Sequence, residues 1–510
     1  MQLPRLSVLL CSLTLGFLLA GCGQDRGRVV LIGVDGGSWN LIDPMVKAGQ
    51  MPNFKAIMDR GVSADLASVE PFLSPPVWTS IATSRTPKAH GVTSFYVNRY
   101  AIKVPTIWDR LAGGGLRVGL YDYLVTWPPR HFPNGGFSVP GWLRRDDSVW
   151  PPDLFQRIGL PAYAYAVVDL GGPDQVVANA EREVREKPRY WNRLWEELQP
   201  DVGAVTFYAL DVVSHRFWST DVDPRSSDVL PRTARGVDRA IGEIVAGLGP
   251  EDNVLIASDH GFQVRPEPGR TWGFDARGLL AGAGFDPQRE KLTILSGFGG
   301  IFVRLDPGPA AEREATLDRL RSFFATIRSA DGAEAFRPVT YHMPPRPSEV
   351  EEPKSLWMSR MIEDKVAAYA LLAAEVNQDV FERMVREGHV LIGKERIPVG
   401  EFTSAHDFVG THSMVGIFLA AGKAIRHQPR RLRLSVLDVA PLMMYLAGQP
   451  IPDDMEGRFQ RALIDPAYLA RHPPGSIQAA KAPRLPDEHG AQAVEDAETN
   501  EKLRALGYIQ

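Results

Sequence analysis

A chain of 510 residues can bury at least one large core, and its 44 % apolar content is that of a soluble globular protein, not a disordered or fibrous one. The formal net charge of −4 is close to balance. That excludes a strongly basic, polyanion-binding surface, so no nucleic-acid partner is expected.

At the amino end, "MQLPRLSVLLCSLTLGFLLAGCGQ" places Arg5 and the terminal amine before an apolar run from Leu6 to Ala20. The run is too short to span a bilayer comfortably. Its close, "LAGC", resembles the bacterial lipoprotein signal, which implies removal of residues 1–21 and lipidation of Cys22. A plain cleaved signal peptide is the alternative. Cys11 would leave with the signal, so Cys22 becomes the only cysteine and no disulfide forms within the mature chain. The several acyl chains of bacterial lipoproteins would anchor it stably. Gly23 stands where inner-membrane retention uses Asp, so the expected place is the periplasmic face of the outer membrane.

A short polar linker, residues 22–28, leads to "VVLIGV" (Val29–Val34), a continuous β-branched run that reads as a buried strand. Similar runs follow at Arg117–Tyr121, Val202–Phe207, Asn253–Ala257 and Gly416–Ala420, with amphipathic stretches between several of them, such as the one ending at Leu248. This alternation predicts an α/β fold with a mainly parallel central sheet flanked by helices. Residues 29–470 are expected to form one catalytic domain. Two stretches fit the alternation poorly and read as inserted cap segments: one near 123–190, rich in Pro, Trp and Gly, and one near 305–395. The second has a proline cluster followed by a helical pattern from Leu356 to Glu387. Residues 471–510 form a polar tail that closes with "NEKLRALGYIQ", a short helix-like piece.

In such sheets ligands collect beyond the carboxyl ends of the strands. Asp35 follows the first strand directly, Asp211 comes shortly after Val202–Phe207, and Asp259 and His260 follow Asn253–Ala257. His215 lies four residues after Asp211, so on a helix both point from one face towards a common ion. His412 precedes the last apolar run. Singly, each has a plainer reading: a capping or turn aspartate, a solvated Asp–His pair, a turn histidine.

In combination the pieces say more. Asp35, a hydroxyl within "LSPPVWTSIATSRTPKAHGV", Asp211 with His215, Asp259 with His260, and then His412 follow in an order that resembles the alkaline phosphatase superfamily. The nearest likeness is to type I phosphodiesterase/nucleotide pyrophosphatase-like proteins and bacterial predicted phosphohydrolase or phosphomutase relatives. It runs from about Val29 to Arg458 and includes "GQMPNFKAIMDRGV" and "VLDVAPLMMYLAGQPIPDDMEGR".

The resemblance implies an alkaline phosphatase-like fold and a site for two divalent metal ions, usually zinc, with manganese also suited to these ligands. One ion would take Asp35, Asp259, His260 and the nucleophile's oxygen, and the other Asp211, His215 and His412. It also implies that Ser74 is the nucleophile, with Pro76 and Thr83 at the spacings that follow the usual threonine. Thr79 and Ser80 are rival hydroxyls that break that register.

The expected activity is a phosphoric ester hydrolase, in first place a phosphodiesterase, acting through a covalent phosphoserine on a small phosphoester or on an envelope lipid or glycan. Two other readings stand beside it: a transferase passing a phospho-alcohol group onto envelope glycans or lipids, and a non-catalytic binding lipoprotein. Phe95 occupies the position where nucleotide pyrophosphatases carry a phosphate-holding asparagine, with Asn98 nearby but out of register. Arg85 and Lys88, close to Ser74 in sequence, read as solvated surface charges. Sulfatases share the fold, but the arginine they need four residues after the nucleophile is Trp78 here.

Overall fold

The computed structural model describes residues 26–95, 97–144, 146–162, 173–218, 228–264, 270–274, 276–297, 300–305, 309–343, 369–399, 403–407 and 410–487. The expected signal with Cys22, the proline cluster from 344 onward and the closing "NEKLRALGYIQ" lie outside the described residues. Two compact units divide the chain: one of Met1–Pro266 with Val409–Thr499, the other of Glu267–Phe408 with Asn500–Gln510.

The first unit is an α/β layer structure. Among the described residues, its strands of four or more residues are β1 (Val29–Val34), β2 (Val62–Ala67), β3 (Val118–Tyr123), β4 (Phe137–Pro140), β5 (Val202–Phe207), β6 (Asn253–Ala257), β7 (Gly261–Val264), β8 (Gly410–Ser413), β9 (Val415–Gly422) and β10 (Gln428–Ser435). Eight of them form the central sheet in the order β10-β2-β9-β6-β1-β5-β3-β4, while β7 and β8 form a separate antiparallel pair. Only β9 runs against the rest, antiparallel to both β6 and β2. Every residue of β1, β3, β5 and β6 is buried, as expected of strands covered on both faces.

Among the described residues, its helices of seven or more residues are α1 (Trp39–Lys47), α2 (Pro52–Arg60), α3 (Ser74–Thr83), α4 (Ile107–Gly113), α5 (Pro173–Leu198), α6 (Ala209–Phe217), α7 (Val229–Ala246) and α8 (Val439–Leu446). Between residues 123 and 190, expected as an insertion, lie β4 and most of α5. That helix packs on α6 and α7. Its buried stripe, Val176, Ala180, Val184, Trp191 and Leu194, follows the 3.6-residue period.

The second unit carries a four-stranded antiparallel sheet in the spatial order Phe336–Met343, Tyr369–Val376, Gly300–Leu305, Leu292–Gly297. Helix Ala310–Ala325 buries Leu317, Leu320 and Phe324, which share a core with Phe336, Leu372, Phe381 and Met384. The long helix expected over Leu356–Glu387 is corrected here. Residues 356–368 lie outside the described residues; among the described ones, Tyr369–Val376 is a strand and only Gln378–Glu387 is helical. Tyr369–Val376 reads "YALLAAEV", rich in good helix formers, yet it hydrogen-bonds to a strand on either side. Pairing on both edges outweighs intrinsic propensity.

Beyond α3 the chain turns back through Pro87–His90, where His90 is fully buried. Val92 N–H donates to His90 Nδ1 at 3.1 Å, and His90 Nε2 meets Ser80 Oγ at 2.9 Å. Burial pushes the His90 imidazole down to about 4, against a partial rise from the Pro76 carbonyl. The unfolded chain therefore takes up the proton first, so stability falls as pH drops from about 6.5 to about 4 and is flat below that. The loss is at most about 3 kcal/mol. Urea unfolding at intervals across this range should give a distinctly shallower pH slope for His90→Gln than for the wild type.

Candidate active site

The topology brings four strand ends together. Asp35 lies just past β1, the start of α6 just past β5, and Ser258–His260 just past β6, all at the carboxyl edge of the sheet. Because β9 is reversed, its amino end lies at that same edge. Phe418 pairs with Ala257, so Val415 and the preceding β8 extend past β6 beside His260. In the β7–β8 pair, His412 sits opposite Phe262. A residue preceding its strand thus joins residues that follow theirs.

Close packing at the edge needs glycine in two places. Gly36 has φ +68°, and a Cβ there would lie 3.0 Å from the Asp211 Cα. At Gly33 a Cβ would meet the Trp78 ring at 2.6 Å. The bare backbone leaves room for that ring, whose Nε1–H donates to Asp35 Oδ2 at 3.0 Å. Past the strand ends, Asp35 N–H donates to Phe207 C=O at 2.8 Å, joining the β1 and β5 termini.

All seven expected catalytic and metal-site residues converge, and all are buried. Ser74 Oγ donates to Asp35 Oδ1 at 3.4 Å. His260 Nε2 lies 3.2 Å from Asp259 Oδ2, 3.6 Å from Asp35 Oδ1 and 3.9 Å from Asp211 Oδ1. Asp211 Oδ1 is also 3.4 Å from His412 Nε2 and 3.6 Å from His215 Nε2, and those two nitrogens are 3.2 Å apart. Two sets of donor atoms could each hold a metal ion: Asp35 with Asp259 and His260, and Asp211 with His260 and His412. His260 therefore faces both groups, with His215 beside the second.

The rival hydroxyls are committed elsewhere. Thr79 Oγ1 donates to the Pro75 carbonyl, and Ser80 pairs with His90. Ser74 opens α3, and Pro75 and Pro76 preset the first turn of that helix. Phe95 packs on Trp142, and Asn98 caps the backbone N–H of Tyr100. Arg85 pairs with Glu456, while Lys88 is exposed.

Tautomers are set by the surrounding carbonyls. His412 Nδ1 meets Phe72 C=O at 3.1 Å and His260 Nδ1 meets Gly261 C=O at 3.2 Å, so each Nδ1 donates to a carbonyl and each Nε2 is the nitrogen turned to the site. Among the described residues, buried Asp259 Oδ2 and His260 Nε2 make no hydrogen bond. Bare acceptors buried this closely repel one another unless a cation lies between them. The donor set, carboxylate oxygens and imidazole nitrogens, fits zinc or manganese.

The charge balance points the same way. Burial, and then the neighbouring Asp259 and Asp211, push the Asp35 carboxyl well above its usual range. Burial and Asp211 raise Asp259 to about 7. Burial would raise Asp211 too, but His215 and then His412 hold it below the usual range. Burial keeps His260 neutral.

Sequence reasoning passed over Trp78 as anything but a missing arginine. Its signal was the spacing: four residues after Ser74, on the same helical face.

Residues 29–276 match the family model described as type I phosphodiesterase/nucleotide pyrophosphatase. The match takes in every expected catalytic and metal-site residue except His412. Among solved structures, the chain is similar to murine ectonucleotide pyrophosphatase/phosphodiesterase 5 at 15 % identity, covering 86 % of this chain and 100 % of that one, with a TM-score of 0.43. No curated protein matches the chain.

Cation binding at this site should release protons. At pH 6 the cation-free protein holds a proton on Asp259, and Asp35 is shifted in the same direction; such protons must leave before these carboxylates bind a cation. Calorimetric titration of Mn2+ at pH 6, in buffers of different ionisation enthalpy, should show about one to two protons released per protein. The number should fall as pH rises past 7. Uptake with no proton release would contradict the raised carboxyls.

Proposed function

With residues 29–276 belonging to the type I phosphodiesterase/nucleotide pyrophosphatase family, and so to the phosphoric ester hydrolases, we propose that this chain cleaves phosphodiesters through Ser74 at a site for two divalent cations. Asp35, Asp259, His260 and the Ser74 oxygen would hold one, and Asp211, His215 and His412 the other. Zinc suits the donor set best, and manganese is the alternative. The observation that carries this reading is the Ser74 hydroxyl 3.4 Å from Asp35, inside a buried group of three aspartates and three histidines.

Free serine is a weak nucleophile at neutral pH, and its neighbour here is a carboxylate rather than an imidazole base. Bound cations would supply Lewis acidity that favours the Ser74 alkoxide and offsets charge on the departing oxygen. The chain's own residues do the rest. The first turn of α3 fixes the Ser74 oxygen, and Trp78 holds Asp35 in place beside it.

Ser74 Oγ forms a bond to phosphorus as the bond to one ester oxygen breaks, and that alkoxide leaves with a proton as an alcohol. Water then breaks the phosphoserine bond, restoring the Ser74 hydroxyl and releasing a phosphomonoester. Two inversions give retention at phosphorus. In the mature protein, a lipid on Cys22 would tether the site in the periplasm, on the outer membrane. Among the described residues, no helix is long and apolar enough to cross a bilayer.

A chromogenic diester, bis(p-nitrophenyl) phosphate, should be turned over faster than p-nitrophenyl phosphate when each is assayed with Zn2+ and with Mn2+. Ser74→Ala should lower kcat by about a thousandfold or more while leaving metal uptake largely intact. Asp259→Asn should lose both. Full activity in metal-stripped protein, or in Ser74→Ala, would overturn the proposal.

A further inference from the structure

Behind the site, on the far side of the β5–α6 turn, lies a buried set of charges that the chemistry above does not use. Lys187, on α5, is fully buried. Its Nζ donates to Glu183 one helical turn back and to the Thr206 carbonyl, and it pairs with Asp122 Oδ2 at 2.8 Å. Glu183, also fully buried, accepts the Tyr208 backbone N–H at 2.9 Å and 3.1 Å through its two oxygens. The Tyr208 hydroxyl donates to the Asp122 carbonyl. Thr206 and Tyr208 flank Phe207, the last residue of β5, and α6 with Asp211 and His215 begins one residue later.

The strand that supplies Asp122 is distorted to do so. The β3–β4 register shifts between Tyr121 and Tyr123, and Asp122 lies in the left-handed region at φ +59°. A bulge of this kind re-aims one side chain at a local cost. Burying a lysine with two carboxylates is also a poor way to add stability, since well-packed apolar residues of similar volume often do as well or better. A costly network made from a distorted strand, and ending on two backbone groups of one turn, is explained by what that turn carries.

We infer that Glu183, Lys187 and Asp122 are positioning residues that fix the β5–α6 turn, and through it the aim of Asp211 and His215 at their cation. The inference rests on the reading of Asp211 and His215 as cation ligands. Lys187 holds the carbonyl before Phe207 and Glu183 holds the N–H after it, so the peptide planes on both sides are pinned before α6 starts. Asp122 completes the clamp from β3.

Mn2+ is titrated calorimetrically into the full chain, and melting is followed in parallel, for the wild type, Glu183→Gln, Glu183→Leu and the double variant Glu183→Leu/Lys187→Met. Glu183→Gln keeps an acceptor for the Tyr208 N–H and should bind Mn2+ within about threefold of the wild type. Glu183→Leu and the double variant should bind at least about tenfold more weakly. The double variant should nevertheless melt within about 5 °C of the wild type.

A double variant that folds and binds Mn2+ like the wild type overturns the assignment. Should it fail to fold, the single variants decide: a tenfold gap in favour of Gln supports the clamp, and equal affinities overturn it. Wild-type protein that takes up no Mn2+ would instead overturn the cation site itself, which is a distinguishable result.

Discussion

Everything in the first unit is arranged around one electrostatic constraint. Asp35, Asp211 and Asp259 are all buried at one edge of one sheet, where their charges repel and water is scarce. Without positive charge between them, two of the three are driven towards the protonated form. With it, each becomes a ligand. The cost of holding the three together explains why so much of the surrounding backbone is pinned. Asp35 is tied to Phe207, Gly36 N–H donates to Asp259 at 3.3 Å, and Ser258 is stitched to β9 through Ile417.

Much of this was legible in the sequence. The runs Val29–Val34, Val202–Phe207 and Asn253–Ala257 announce buried parallel strands because both faces are covered and every position but Asn253 is apolar or small. The i, i+4 spacing of Asp211 and His215 became a shared face because the segment is helical. The direction of β9 was not legible, since a buried run reads the same either way. That direction is what brings His412 into the site. Tyr369–Val376 was misread because helix formers carry no mark of the two strands that will pair with them.

The buried pair on α5 was hidden for a different reason. Glu183 and Lys187 lie in "EREVREKPRY", a run of charges that reads as a solvated face. Only the position of the helical stripe distinguishes them. They fall in line with Ala180, Trp191 and Leu194, whereas Arg182, Arg185 and Glu186 do not. Periodicity counted over apolar residues alone passes over charged members of a buried face.

The antiparallel β7–β8 pair shows how a long stretch of chain can be inserted between two residues of the site. Val264 pairs with Gly410, so the chain leaves the sheet's edge and returns to it at adjacent points. The roughly 140 residues between them form a unit with its own sheet and core. Because the two ends are already hydrogen-bonded neighbours, the length of what joins them adds little closure cost to the site. His260 directly precedes one strand of that pair and His412 lies in the other, so the register Phe262–His412 sets their separation whatever is inserted beyond it. The distant His412 is thereby held by two short strands, and the matched family model can end at residue 276 while the approach of His412 to Asp211 is kept.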